Sequence, residues 1–354
     1  MSRLFDRIAT GIGRAVDEAV LAATRAPLSR RTPRSTSGPS RSRLLDEATA
    51  FYRRPDVLSG EAFFLPPPRP RPHEQRVALL PDGEIVDVTW PSPFEPRWEP
   101  ARGDYLRHER NRSCWVRMLR HATPRPSLIC LHGYSAGHWF IEERSFLARW
   151  LYRVGLDVSL FVLPFHAQRA VRSGPPPWPS PNVARTNEGF AHAMYDLQAF
   201  ARWLRERGAP SVSACGMSLG GFSTALLATV EPLDFAAMMI PVASFAELFW
   251  THGAGRPELR SAMAEGITLA RVKAALEVTT PLSRRPLLDA ERVLVIDAEG
   301  DRIAPREHAE WLAGHFGARR ITLPGGHVLL HRGAPLKAIV RRMQELAIFS
   351  REGA

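Results

Sequence analysis

Two rhythms of apolar and polar positions divide this chain of 354 residues. At residues 76–91 and 114–119 apolar side chains alternate with polar ones, the two-residue period of a half-buried strand. Residues 76–91 turn at Pro81-Asp82-Gly83 and read as a β-hairpin, and residues 114–119 read as a further strand. From residue 127 short, nearly continuous apolar runs take over, at 127–131, 157–163, 211–215, 235–240, 292–296 and 319–323. Amphipathic helical stretches lie between or after them, at 140–152, 188–207, 219–230, 305–316 and 335–349. Buried strands alternating with helices predict an α/β fold: a mostly parallel sheet with helices on both faces and the hairpin as an antiparallel start.

The N-terminal region follows other rules. Leu4, Ile8, Ile12, Val16 and Val20 recur at helical spacing, with Phe5, Ala15 and Ala19 on the same face and the charged residues opposite. Such a helix either docks on the protein's own core or lies on a membrane surface. Asp6, Arg7, Arg14, Asp17 and Glu18 interrupt any secretory apolar segment, and no uncharged run reaches the ~18 residues of a transmembrane span. Residues 24–43 carry six arginines among Ser, Thr, Pro and Gly and no acid, which reads as a linker. The chain therefore divides into a helix with basic linker (1–43), a Pro-rich arm (44–75) and a main domain (76–354).

A formal charge of +11 suggests nucleic acid, but all but two of the 47 basic residues are arginine, the exceptions being Lys273 and Lys337. Arginine is high together with Pro, Ala and Gly, as a GC-rich coding sequence produces, and no nucleic-acid motif accompanies it, so no nucleic-acid partner is expected. Cys114, Cys130 and Cys215 form neither a disulfide framework nor a CxxC metal site. Cys130 and Cys215 lie in apolar runs and read as buried thiols of a reducing, cytoplasmic compartment.

The chemistry concentrates at Gly216-Met217-Ser218-Leu219-Gly220-Gly221, between an apolar strand and an apolar helix. This is the context of a nucleophile elbow: glycines let strand and helix approach, and the helix start offers the Leu219 N–H to a developing oxyanion. Gly133-Tyr134-Ser135-Ala136-Gly137 also fits G-x-S-x-G. It follows His132 at the end of the first parallel-strand candidate, where an oxyanion donor is expected, so Ser218 is favoured as nucleophile over Ser135.

A serine needs a base, and the base an orienting acid. Asp301 lies in the turn after the strand at 292–296, and His327 follows the strand at 319–323. Both fall at C-terminal strand ends, where α/β sheets assemble sites, in the order Ser, Asp, His. Asp297 and Glu299 compete for the acid role, Asp301 has an alternative use as a helix cap, and His331 lies four residues beyond His327.

From about Val77 onward the chain resembles the α/β-hydrolase superfamily, on His132-Gly133, Gly216 to Gly221, Gly300-Asp301-Arg302-Ile303-Ala304-Pro305 and Gly325-Gly326-His327. Leu163-Pro164-Phe165-His166, the Pro-rich loop after it and Gly216-Met217-Ser218 are similar to the abhydrolase domain-containing eighteen branch. The resemblance implies a serine hydrolase with Ser218 as nucleophile, His327 as base, Asp301 as acid, and the N–H groups of Leu219 and Tyr134 as oxyanion hole beside Gly133 and His132. It implies an ester-like substrate, small or lipid, without cofactor or metal. Thioester, peptide and acyl-transfer chemistry use the same residues, and a non-catalytic membrane-associated protein of this fold is the rival class. A helical stretch at about 242–290 sits where a lid belongs, its aromatics either facing substrate or packing on the core. The N-terminal helix adds a possible peripheral membrane contact.

Overall fold

The structure, a computed structural model, describes residues 2–25, 40–170, 174–330 and 333–349. One nine-stranded sheet runs in the order β1-β2-β3-β5-β4-β6-β7-β8-β9. Its strands are β1 (His73–Leu80), β2 (Gly83–Pro91), β3 (Ser113–His121), β4 (Ser127–Leu131), β5 (Asp157–Phe161), β6 (Val212–Met217), β7 (Ala236–Met239), β8 (Val293–Ala298) and β9 (Arg319–Leu323). β1 to β3 pair antiparallel, as do β3 and β5, and every pair from β5 to β9 is parallel. β4, β5, β7 and β8 are buried at every residue, which is why their sequence is mostly apolar, broken only by Ser127, Asp157, Ser159 and Asp297, and does not alternate.

The helices are α1 (Ser2–Arg25), α2 (Arg41–Tyr52), α3 (Pro55–Leu58), α4 (Glu99–Leu106), α5 (Trp139–Ser145), α6 (Ala148–Arg153), α7 (Val183–Glu206), α8 (Leu219–Leu227), α9 (Phe245–Gly253), α10 (Pro257–Ala264), α11 (Leu269–Leu276), α12 (Arg306–Phe316) and α13 (Ala334–Glu345). Two cores form, one on each face of the sheet. One gathers Phe190, Phe200, Phe222 and Leu312, the other Phe146, Leu151, Ile339 and Met343.

Three expectations change. The helix read at 140–152 is two, α5 and α6, because Leu147 between them takes a left-handed φ of 46°. The helix read from 188 begins at Val183, where the Asn182 side chain accepts from Arg185 N. The linker read to residue 43 gives way to α2 at Arg41, capped by Ser40, while residues 26–39 lie outside the described ones.

The arm is pinned to the main domain. Tyr52 donates to Glu188 Oε1 at 2.8 Å, and the same buried carboxyl accepts Arg97 N at 2.8 Å and Trp98 N at 3.0 Å. Burial pushes Glu188 up to about 7. In the stretch at 242–290, Phe245 packs on Phe190 and Phe222 in the core. Arg271 pairs with Asp46, and Arg41 with Glu265, fastening this stretch to α2.

Candidate active site

The chain leaves β4 for β5 on one side and returns to β6 on the other. The C-terminal ends of β4 and β6 therefore flank a topological switch point, where an open α/β sheet leaves a crevice. Ser218 stands there as the one residue between β6 and α8, with φ 56° and ψ −111°. Such a backbone costs about 1–3 kcal/mol in a non-glycine residue and persists only when its surroundings hold it. Here Ser218 N donates to Met239 O, and its carbonyl accepts from Phe222 N, both at 3.0 Å. A Cβ at Gly216 would overlap the Gly220 carbonyl, and one at Gly220 the Leu131 carbonyl, so α8 lies directly on β6 and β4. Leu219 is the first residue of α8, and its N–H is one of the donors a helix start leaves unsatisfied.

Ser135 is also left-handed, at φ 60°, and exposed. No regular element adjoins it, since β4 ends at Leu131 and α5 starts at Trp139. Its loop nevertheless reaches Ser218: a Cβ built on Gly133 would lie 3.7 Å from Ser218 Cβ. His132 holds this loop from behind. Its Nε2 accepts Leu163 N–H at 3.0 Å, so Nδ1 carries the proton and donates to Gly133 O at 2.8 Å. Burial lowers its pKa to about 3, and the ring is neutral. With both nitrogens used and the residue 1% exposed, His132 braces the loop from behind with its side chain. Tyr134 donates its hydroxyl to Pro176 O at 2.8 Å, joining the same loop to the Pro-rich insertion. His166 lies beneath, its ring 5.0 Å from His132 and 6.0 Å from Trp178, and burial lowers its pKa to about 4.

The loops after β8 and β9 bring the other two candidates together. Asp301 Oδ2 meets His327 Nδ1 at 2.7 Å, while Asp301 Oδ1 accepts Ile303 N at 2.9 Å and Ala304 N at 2.8 Å. Asp301 thus orders its own turn with one oxygen and faces the imidazole with the other. The rival carboxylates are engaged elsewhere. Asp297 accepts from Arg320, Arg306 and Thr322 at 2.9–3.1 Å. Burial works to raise its carboxyl, but Arg320, with Thr322 and Arg306, holds it below the usual range. Glu299 accepts from Thr10 at 3.2 Å. His331 lies outside the described residues.

Two features were not legible. Arg169, at the start of the Pro-rich insertion, is wholly buried and paired with Asp196 at 2.9 Å, in a cluster with His192, Ser92 and Tyr105. The cluster contains Ser, His and Asp, yet every member is buried, so it welds the insertion to α7 without a path for substrate. The His192–Asp196 spacing of one helical turn was its only trace in the sequence. The second feature is α1, which docks against the acid and base loops by Thr10, Gly13 and Asp17, leaving Phe5, Ile8, Ile12 and Val20 exposed. Asp17, read as an outward charge, is buried. Among the described residues no His, Cys, Asp and Glu side chains gather as a metal site requires, and no helix is long and apolar enough to cross a membrane.

No family model matches the chain. It is 30% identical over 312 residues to the uncharacterized protein Rv2627c of Mycobacterium tuberculosis strain H37Rv, covering 86% of this chain and 71% of that protein. It is 30% identical over 267 residues to the uncharacterized protein MT2702 of strain CDC 1551, covering 73% of this chain and 63% of that protein, a little under two thirds of its length. Among solved structures, acetyl xylan esterase 1 from Thermoanaerobacterium sp. JW/SL YS485 superposes with a TM-score of 0.56 at 14% identity, covering 86% of this chain and 93% of that one. At that identity the likeness is one of fold.

Proposed function

This chain belongs to the same family as the mycobacterial protein Rv2627c and has the α/β-hydrolase fold, and on that premise we propose that it is a serine hydrolase of ester-like bonds. The observation that carries the reading is the 2.7 Å contact of Asp301 with His327, on loops at the same end of the sheet as a serine in a strained strand–helix turn. Ser218 Oγ attacks the carbonyl carbon while His327 Nε2 takes its proton. Asp301 keeps Nδ1–H pointing away from the serine and stabilises the imidazolium. The N–H groups of Leu219 and Tyr134 receive the negative oxygen, a contribution of about 3–4 kcal/mol per donor at comparable sites. The imidazolium then protonates the departing alkoxide, and a water deprotonated by His327 releases the acid from Ser218.

A carboxylesterase or lipase-like specificity, and a place in the abhydrolase domain-containing eighteen branch, go further than the fold does; the branch rests on Leu163 to His166 and the elbow residues. The open apolar stripe of α1 supports a peripheral membrane contact. A fluorophosphonate probe and a panel of p-nitrophenyl esters test the central reading. Wild type and Ser135→Ala are expected to label, and Ser218→Ala to lose labelling together with at least ~10³-fold in kcat. Labelling that survives in Ser218→Ala and vanishes in Ser135→Ala overturns the assignment.

A further inference from the structure

The loop carrying His327 is held by a residue more than 300 positions away. The Asp17 carboxylate of α1 is 0% exposed. Its Oδ2 accepts His327 N at 2.7 Å and Arg302 N at 3.1 Å, and its Oδ1 accepts Val328 N at 3.0 Å. Arg302 adjoins Asp301, so one carboxylate fixes the backbone at both ends of the Asp301–His327 contact. The rest of that helix face closes on the same loops. Gly13 lies against Gly325 and Gly326 so tightly that a Cβ there would come within 2.6 Å of Gly325 C. Thr10 accepts Gly325 N at 3.4 Å and donates to Glu299 at 3.2 Å. Between the loops themselves, Gly300 N donates to Gly325 O at 2.8 Å.

We propose that Asp17 is a positioning residue for the acid–base pair, and that α1, which lies outside the α/β core, is a working part of the site. The inference rests on the roles assigned to Asp301 and His327 above. Its physical basis is the steepness of proton transfer with geometry: a misplacement of about 1 Å can cost ~10²-fold in rate. Asp301 anchors its side chain on its own loop, so the register of the two loops decides whether the imidazole is met. Charge-assisted acceptance of three backbone donors is the strongest tie available to set that register.

The full-length Asp17→Ala variant tests this, with Asp6→Ala, an exposed acid on the same helix, as control. Two readouts are taken on folded protein: kcat and KM for p-nitrophenyl acetate, and the low-field NMR signal of the His327 Nδ1 proton shared with Asp301. Asp17→Ala is expected to lower kcat at least about tenfold with KM within a factor of about three, and to broaden or abolish the low-field signal, while Asp6→Ala changes neither. A folded Asp17→Ala protein with wild-type kcat and wild-type signal overturns the proposal. Should that variant not fold, Asp17→Asn, which keeps one acceptor oxygen, carries the same comparison. A wild-type protein that turns over no ester, but whose low-field signal still depends on Asp17, would sink the hydrolase reading and leave the positioning role standing.

Discussion

Exchanging one carboxylate for an amide at Asp301 and at Asp297 should separate rate from stability. Asp301 Oδ1 is tied to the Ile303 and Ala304 N–H groups at 2.9 and 2.8 Å. In Asp301→Asn the amide oxygen stays with these donors, which turns the NH₂ toward His327 Nδ1. A donor then faces a donor unless the imidazole moves its proton to Nε2, where it occupies the lone pair that Ser218 needs. A wrong tautomer of this kind costs about 10⁴-fold in kcat, or ~5.5 kcal/mol of barrier. Asp297 is 3% exposed by side chain, its partners Arg320 and Arg306 are 23% and 42% exposed, and none of the three touches the acid–base pair. Breaking a fully buried pair costs ~3–5 kcal/mol and a surface pair under ~1, so Asp297→Asn should cost about 2 kcal/mol of stability with kcat nearly intact. The assays are kcat/KM on p-nitrophenyl acetate and urea unfolding. A greater loss of turnover in folded Asp297→Asn than in Asp301→Asn would refute the assignment of the acid.

Acid should destabilise the fold between about pH 6.5 and 4.5. Burial holds His132 at about 3 and His166 and His308 at about 4, below the ordinary 6.5, so the unfolded chain takes up protons there that the folded one refuses. Glu188, raised to about 7, acts in the opposite sense, leaving a net of roughly two protons and a slope up to ~2–3 kcal/mol per pH unit. A urea midpoint that stays flat from pH 7 to 5 would contradict this. On α1, Ile8→Asn with Ile12→Asn should reduce sedimentation with anionic liposomes while leaving soluble-ester turnover unchanged, because both side chains face solvent. Equal sedimentation of variant and wild type would end the membrane reading. Deleting residues 1–43 outright should cost turnover as well, since Asp17 leaves with the helix.

Much of this architecture is local in origin and was legible. A strand buried on both faces is nearly all apolar, which is why the run at 127–131 coincides with β4. The run at 319–323 coincides with β9, an edge strand whose residues are exposed or half-buried. The elbow was equally plain, because strand, serine and helix are contiguous and the close approach at Gly216 and Gly220 demands glycine. The break at Leu147 was not, since neither a glycine nor a proline marks it. Choosing among Asp297, Glu299 and Asp301 needed the fold, because their partners Arg320, Thr10 and His327 come from other elements. The docking of α1 needed it most. Its apolar stripe left open whether Ile8 and Ile12 face the core or a membrane surface; both are exposed, and the helix is seated by Asp17, on backbone donors 285, 310 and 311 residues away. Every non-proline residue carries a backbone N–H, so sequence pattern has nothing with which to mark the three that will lack a partner. Only the folded loops leave those donors open to a buried carboxylate.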